Sequence, residues 1–458
     1  MCRWLRPPNR AFAPGASLVR EPAAVAMERN SSSWESAGAQ SLAFLGNATV
    51  SGERTELRLH LPEISIQCTV YDQCLGLVVA VAAGAILWKI MMSKSSLTKK
   101  PHKPKSRRLL SGALPPVFPN GWIPVLESTE LVVGKIKSVS ALGQEFVAVR
   151  CEDGTARVFD AYCPHLGAHL GMMGRVAGDI IECPFHGWKF DCKNGSCTHV
   201  PYSAKAPSFA KVKVWTSKEL LGLVFVWYHA DGKAPSWDVP EDILSRTLES
   251  KSTGRFEHSV HCHIQDIAEN GADSGHFNKI HKASSLVNGT EFEKNMGESW
   301  KGRLFQHQWV ATWSPNKHEA TVVIEAFISI LGWKPDYLRH HVEARQIGPA
   351  LVAISVWGPT GHYVAVQSLR PEGPFDIKVV HRLYFEPGVS WLLRRFYTMT
   401  LRNMVDRDAA VWNHKMYLNR PTLVKEDQSI AAFRKWYSQF YSSSSPTWQE
   451  IREQTLDW

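Results

Sequence analysis

Two short stretches constrain this chain more than anything else in it: Cys163-Pro164-His165 and, seventeen residues later, Cys183-Pro184-Phe185-His186. Each supplies one sulfur and one imidazole, so the chain must set two loops side by side around a metal. Tetrahedral zinc accepts two Cys and two His, but zinc loops usually sort sulfur from nitrogen, with a C-x-x-C turn facing an H-x3-5-H helix. Loops of mixed donors suit instead a [2Fe–2S] cluster with both sulfurs on one iron and both imidazoles on the other. Pro164 and Pro184 stiffen the loops, while Gly167, Gly171 and Gly187 let backbone approach inorganic sulfide.

These loops resemble those of Rieske proteins. Respiratory members of that family carry an extra cysteine in each loop, joined as a disulfide; the corresponding positions here are Ala168 and Phe185. The chain is therefore similar to the oxygenase branch, whose cluster passes electrons to a second, mononuclear iron. That resemblance implies a further iron site downstream.

Such a site is legible in Asp273-x2-His276-x4-His281. Non-haem Fe(II) oxygenases bind iron through two His and one carboxylate on one face, leaving positions open for O2. On an ideal helix Asp273 and His276 share a face, but His281 is turned about 140° from His276. A bulge or break between the two histidines is therefore expected. His258, His261 and His263 lie nearby in a run patterned like a strand, so they are read as structural.

The third ligand should be a carboxylate further on. Asp408 stands in a helical stripe with Leu401, Met404, Val405, Val411 and Trp412. A carboxylate in that setting needs a cation or metal. Asp406, beside Arg402, Asn403, Ala409 and Ala410, is read as facing solvent. The resemblance agrees, since Asp408-Ala-Ala-Val-Trp412 matches the oxygenases' Asp-x3-Trp pattern. It also implies that Asp273 is no ligand but links His276 to a cluster histidine of a neighbouring subunit in a trimer. A carboxylate that merely orients His276 is the alternative.

At 458 residues there is room for two or three domains. Residues 1–73, rich in Ser, Ala, Pro and Arg towards their start, are read as a disordered segment. Residues 74–92 run Cys74 to Met92 with Lys89 as their single charge, about 28 Å as a helix, enough for one span of a thin bilayer. A buried soluble helix is the rival reading. The formal charge of +9 is concentrated just after this run, in Lys94, Lys99, Lys100, Lys103, Lys105, Arg107 and Arg108. Placed there it points to a membrane surface rather than nucleic acid, and it puts the C-terminal part on the cytosolic side, with the endoplasmic reticulum as the expected membrane.

Residues 93–115 form a basic linker, 116–232 an all-β cluster domain and 233–458 an α+β catalytic domain. In the first, Phe146–Val149 and Ala156–Phe159 flank Asp153-Gly154 as a hairpin, and Lys211–Trp215 is expected to pair with Leu223–Trp227. Cys192 and Cys197 flank a turn through Asn194-Gly195 and are not read as ligands. In the second, strands are expected at 320–330, 351–357 and 377–385. A turn through Pro387-Gly388 then leads to an N-cap at Ser390 and a helix from Trp391 to about Lys415.

Together with the C-terminal Arg434-Lys435-Trp436-Tyr437-Ser438-Gln439-Phe440-Tyr441, these features resemble the cholesterol 7-desaturase (Neverland) family and, more distantly, bacterial 3-ketosteroid hydroxylases. The resemblance covers residues 70–458 and implies a helix-grip catalytic domain, a sterol substrate and the conversion of cholesterol to 7-dehydrocholesterol with release of water. No G-x-G-x-x-G follows a strand, so electrons from NADPH or NADH must arrive through a separate reductase. Hydroxylation of a steroid by the same irons, and a non-enzymatic electron carrier, are the alternatives.

Overall fold

The computed structural model describes residues 57–61, 64–68, 114–244, 248–249 and 251–454. The apolar run 74–92, nearly all of the basic linker and most of 1–73 lie outside the described residues. Among the described residues no helix is long and apolar enough to cross a membrane. Within the stretch read as disordered, strands β1 (Leu57–Leu61) and β2 (Ile64–Cys68) pair antiparallel from Leu57↔Cys68 to Leu61↔Ile64. Their alternating L-R-L-H-L and I-S-I-Q-C patterns carry a period of two that composition alone passes over.

Eleven strands follow between Gly121 and Tyr228: β3 (Gly121–Glu127), β4 (Ile136–Ala141), β5 (Gln144–Arg150), β6 (Ala156–Asp160), β7 (Arg175–Ala177), β8 (Ile180–Glu182), β9 (Lys189–Asp191), β10 (Cys197–His199), β11 (Val214–Trp215), β12 (Ser217–Leu220) and β13 (Leu223–Tyr228). They build three antiparallel sheets, ordered β11-β6-β5-β4, β10-β9-β8-β7 and β12-β13-β3. The hairpin around Asp153-Gly154 forms as expected, with Val147 opposite Phe159. The pairing of 211–215 with 223–227 does not. Val214 and Trp215 pair with Phe159 and Val158, while β13 pairs with β12 and β3. The cause is the tight turn at Leu221-Gly222, where φ is 56° and 66°. It closes β12 onto β13, so Thr216 marks the crossing from one sheet to the next.

The catalytic part opens with β14 (Gly254–His261), followed by the short helices α1 (Ile264–Ala268), α2 (Ser274–Ile280), α3 (Gly289–Asn295) and α4 (Trp300–Leu304). Six long strands come next: β15 (Phe305–Asn316), β16 (Glu319–Ile330), β17 (His340–Ile347), β18 (Leu351–Gly358), β19 (Gly361–Pro371) and β20 (Asp376–Phe385). They complete a seven-stranded antiparallel sheet ordered β14-β20-β19-β18-β17-β16-β15. Helix α5 (Trp391–Trp412) then packs on the sheet, and α6 (Gln428–Tyr437) and α7 (Trp448–Gln454) close the chain. Ser390 caps α5 by accepting from Leu393 N at 3.4 Å, as the sequence predicts.

Val405, Ala409 and Trp412 of α5 share one core with Val322, Ile324, Val342 and Val356 of the sheet. A buried carboxylate helps to join the cluster domain to that sheet. Glu127, at the end of β3, accepts from Arg255 Nε of β14 at 2.8 Å and from Arg382 Nη1 of β20 at 2.7 Å.

Candidate metal centres

The two cluster loops repeat one backbone design. Cys163 N donates to Ala168 O at 2.9 Å and Cys183 N to Trp188 O at 2.8 Å. Gly167 N and Gly187 N close back onto Cys163 O and Cys183 O. Gly167 and Gly187 hold φ of 72° and 69°, a left-handed turn that a side chain would strain. The loops follow β6 and β8, which brings Cys163 and Cys183 together in a buried core with Phe159, Ile181 and Phe190.

His165 and His186 stand with ring centroids 4.8 Å apart, half-buried. Trp188 stacks on His165 at 4.6 Å and donates to Tyr202 OH at 2.8 Å, which fixes the imidazole plane. Burial, then the neighbouring Cys183 sulfur, pushes the Cys163 thiol up to about 11. A thiol so placed becomes thiolate only beside compensating positive charge. His186 Nδ1 is buried without a protein partner. Two adjacent sulfurs and an orphaned imidazole nitrogen fit the [2Fe–2S] donor set. Cys192 and Cys197 are unbridged, and the Asn194-Gly195 turn between them forms as expected.

His276, His281 and Asp408 come together from α2, its C-terminal cap and α5, with one donor atom of each within 4.8 Å of the others. His281 Nε2 is 3.1 Å from Asp408 Oδ1, and the His276 and His281 ring centroids are 5.2 Å apart. No bulge interrupts the helix, and the expected break falls at His281 itself, its C-cap. The helix is continuous to Ile280, and His281 N still donates to Phe277 O at 3.1 Å. The rings converge because His281 stands at the helix end, with ψ of 8°, and side-chain reach closes the remaining angle.

Asp273 caps α2 with its carboxylate, accepting from Gly275 N at 3.1 Å and His276 N at 3.2 Å. Its backbone carbonyl accepts from His276 Nδ1, while its Oδ2 lies 3.9 Å from that nitrogen. A carbonyl only accepts, so Nδ1 carries the proton and Nε2 keeps a lone pair for a metal. Burial holds His276 below the usual imidazole range, which favours the neutral ligand form. Two imidazoles and one carboxylate on one side of a cavity fit a mononuclear Fe(II) site.

Arg407 is the largest fully buried side chain in this set of elements. Its guanidinium donates to the carbonyls of Ile280 at 3.1 Å, Ala283 at 3.0 Å and Val287 at 2.8 Å, and to Ser284 O. It therefore holds the segment that follows His281 from the position next to Asp408. Burial lowers it to about 10. A second network fixes the approach to α2: Lys415 reaches Asp266 at 3.0 Å and Glu269 at 3.4 Å, and Arg434 also binds Glu269. The C-terminal aromatics Phe433, Trp436, Tyr437 and Phe440 pack on Ala268, Ala272 and Ala320 behind it.

The three candidate ligands open into a cavity of about 470 Å³ between α5 and the sheet. Its walls are largely apolar: Val322, Ile324, Ala326 and Ile328 from β16, Ile354 and Val356 from β18, and Leu401, Met404 and Val405 from α5. Size and lining suit an apolar small molecule.

Two placements differ from expectation. Asp406 is buried, not solvated, and its Oδ1 lies 2.6 Å from His258 Nε2. Its helical neighbours are polar, but β14 lies across that face. Val411, counted in the apolar stripe, is exposed. The three nearby histidines are structural. His258 pairs with Asp406, His261 Nδ1 lies 2.9 Å from Asp376, and His263 accepts from Gln265 N at 3.2 Å. Arg407, His307, Gln346, Gln367 and His381 were missed. A polar residue on the strand face that otherwise carries Ile377, Val379 and Leu383, as His381 is in β20, was the available signal.

Residues 121–210 match the Rieske [2Fe-2S] domain family, and residues 226–441 match the 3-ketosteroid 9alpha-hydroxylase C-terminal domain family. A cholesterol 7-desaturase of Xenopus laevis is 40% identical over 77% of this chain and 78% of its own length. The cholesterol 7-desaturase of Drosophila melanogaster is 41% identical, over 74% of this chain and 78% of its own. Among solved structures, apo dicamba monooxygenase superposes with a TM-score of 0.52 at 16% identity, over 70% of this chain and 96% of that one. At that identity it supports the fold alone.

Proposed function

This chain belongs to the cholesterol 7-desaturase family of Rieske-type oxygenases, and from that premise we propose that it converts cholesterol to 7-dehydrocholesterol. One hydrogen leaves C7 and one its neighbour C8; with O2, two electrons and two protons, the second product is two molecules of water. The observation that carries this reading is the position of His276, His281 and Asp408 at the wall of an apolar cavity of about 470 Å³.

Cys163, His165, Cys183 and His186 would hold the cluster, and His276, His281 and Asp408 the mononuclear iron. When bound, the cluster supplies single electrons and the iron activates O2. The chain's own contribution is to orient and to exclude water. The Asp273 carbonyl fixes the His276 tautomer, and Arg407 anchors the segment after His281. Apolar walls on β16, β18 and α5 keep solvent from the reacting carbons. The half-exposed Asp273 carboxylate is the proposed link to a cluster histidine of a neighbouring subunit in a trimer. Electrons from NADPH or NADH would enter through a separate reductase. The helix-grip description rests on α5 packed against the seven-stranded sheet. Anchorage of residues 74–92 in the endoplasmic reticulum, with the catalytic part cytosolic, completes the proposal.

The test is incubation of the chain with a reductase, NADPH and cholesterol. A product lighter by two hydrogens, with the ultraviolet absorbance of a conjugated 5,7-diene, supports desaturation. A product heavier by one oxygen would assign hydroxylation instead, the second reading, which the 3-ketosteroid 9alpha-hydroxylase domain match at 226–441 favours. An electron carrier without turnover has no use for the cavity and its three converging donors.

A further inference from the structure

We propose that a polar row on the sheet, formed by Gln346, Gln367 and His381, binds the hydroxyl at the ring end of the sterol and so sets which ring carbon meets the iron. The proposal rests on the sterol reading above and adds to it the groups that orient the substrate.

The row follows from strand register. Gln346 of β17 lies opposite Val352 of β18, Val352 opposite Gln367 of β19, and Gln367 opposite His381 of β20. All four line the cavity. Neighbouring strands are about 4.8 Å apart, so the two glutamines flank Val352 within about 10 Å, close enough for both amides to reach one oxygen between them.

Their hydrogen bonding is incomplete. Gln346 is 3% exposed, yet its Nε2 is buried without a partner. His381 is fully buried and held by stacking on Phe256 at 4.5 Å. Its Nε2 donates to Gln367 Oε1 at 2.9 Å, which leaves its Nδ1 as an acceptor, also without a partner. Burial, then His258, keeps this imidazole neutral. Buried amides left unpaired are costly, and such groups commonly meet a ligand or water.

Other polar groups of the wall are already engaged: Thr360 with Tyr397, and His340 Nδ1 with Leu338 O at 3.0 Å. His307 Nδ1 also lacks a partner, but its ring stacks on Trp309, the wall against which His281 packs.

The row lies at the end of the cavity away from its mouth, on the side of Trp412. Trp412, one turn from Asp408, donates to Asn270 Oδ1, and the adjoining Gly271 packs on Val322. Val322 pairs with Ala344, two residues from Gln346. At the other end of β16 the lining residue Ile330 reaches solvent, as do Pro359 and Thr360. The hydroxyl therefore enters first and the alkyl tail trails towards that mouth.

The experiment compares cholesterol with its 3-deoxy analogue, cholest-5-ene, on wild type, Gln346→Leu and Gln367→Leu. Binding is read by quenching of tryptophan fluorescence, and kcat and KM are read separately. Wild type should prefer cholesterol about tenfold or more. Each variant should bring the ratio below about threefold by weakening cholesterol alone, with the cluster's visible spectrum unchanged. The Gln346→Leu melting midpoint should be unchanged or raised, since an unpaired amide is removed. Equal affinity of wild type for both sterols, a ratio that survives in both variants, or equal loss of both sterols would overturn the proposal. Discriminating binding without any 5,7-diene would overturn the desaturase reading and leave this one standing.

Discussion

His281 Nε2 stands 3.1 Å from Asp408 Oδ1, an approach that ties the end of α2 to the interior of α5. Both side chains are buried, and His276 completes the group. A metal is the economical occupant, because two imidazoles and one carboxylate leave open positions for O2. Changing Asp408 to Ala should remove one iron per chain and lower turnover more than about a hundredfold, since even outer-shell changes cost up to that much. His276→Ala should do the same. The visible spectrum of the cluster should persist in both variants; its loss would contradict the division between two centres.

Arg407 makes a different prediction. Its guanidinium holds four carbonyl groups between Ile280 and Val287 and is fully buried. Truncation to Ala leaves those acceptors unpaired around a cavity, so stability should fall by about 3 kcal/mol or more. Lys restores charge but not the planar fork, and should recover only part of the loss. Denaturant unfolding measures both. Iron content should drop with stability in Arg407→Ala, because the segment it anchors follows directly on His281.

Glu127 should make stability fall in acid. Burial raises its carboxyl, but hydrogen bonds from Arg255 and Arg382 outweigh that and hold it below the ordinary value of 4.5. A depressed carboxyl stabilises the fold above the unfolded value, and the gain is lost as pH falls through the folded one. Melting midpoints of wild type should therefore decline below about pH 4.5. Glu127→Gln should flatten its share of that decline while costing about 2 kcal/mol at neutral pH, where two arginines lose their partner. An unchanged acid slope in the variant would remove Glu127 from the account.

What could be read beforehand depended on whether the signal was local. The cluster loops, the Asp273-His276-His281 run and Asp408 all announce themselves by spacing within one element, and the structure brings those donors together. Asp406 was misjudged because helical neighbours report only the helix's own surface, and β14 lies across it. The partner of Leu223–Tyr228 was missed for a related reason: the Leu221-Gly222 turn decides it, and two-period patterns do not say which strands meet. Gln346, Gln367 and His381 are close only through the register of four strands, which no window of sequence shows.

The cluster permits the converse of the first test. Cys163 lies buried beside Cys183 and is pushed up to about 11, so its sulfur is not held as thiolate by the protein alone. Replacing Cys163 with Ser substitutes a far weaker acid at that position, and the variant should lose both the visible spectrum and turnover while keeping the mononuclear iron. A single-turnover experiment then separates delivery of electrons from their use. Chemically reduced wild type should lose its reduced-cluster spectrum on addition of cholesterol and O2. His276→Ala should start from the same spectrum and retain it more than about a hundredfold longer, because its cluster has no iron to discharge into. If the two proteins reoxidised at equal rates, electrons would be leaving the cluster by another route, and His276, His281 and Asp408 would not be their destination.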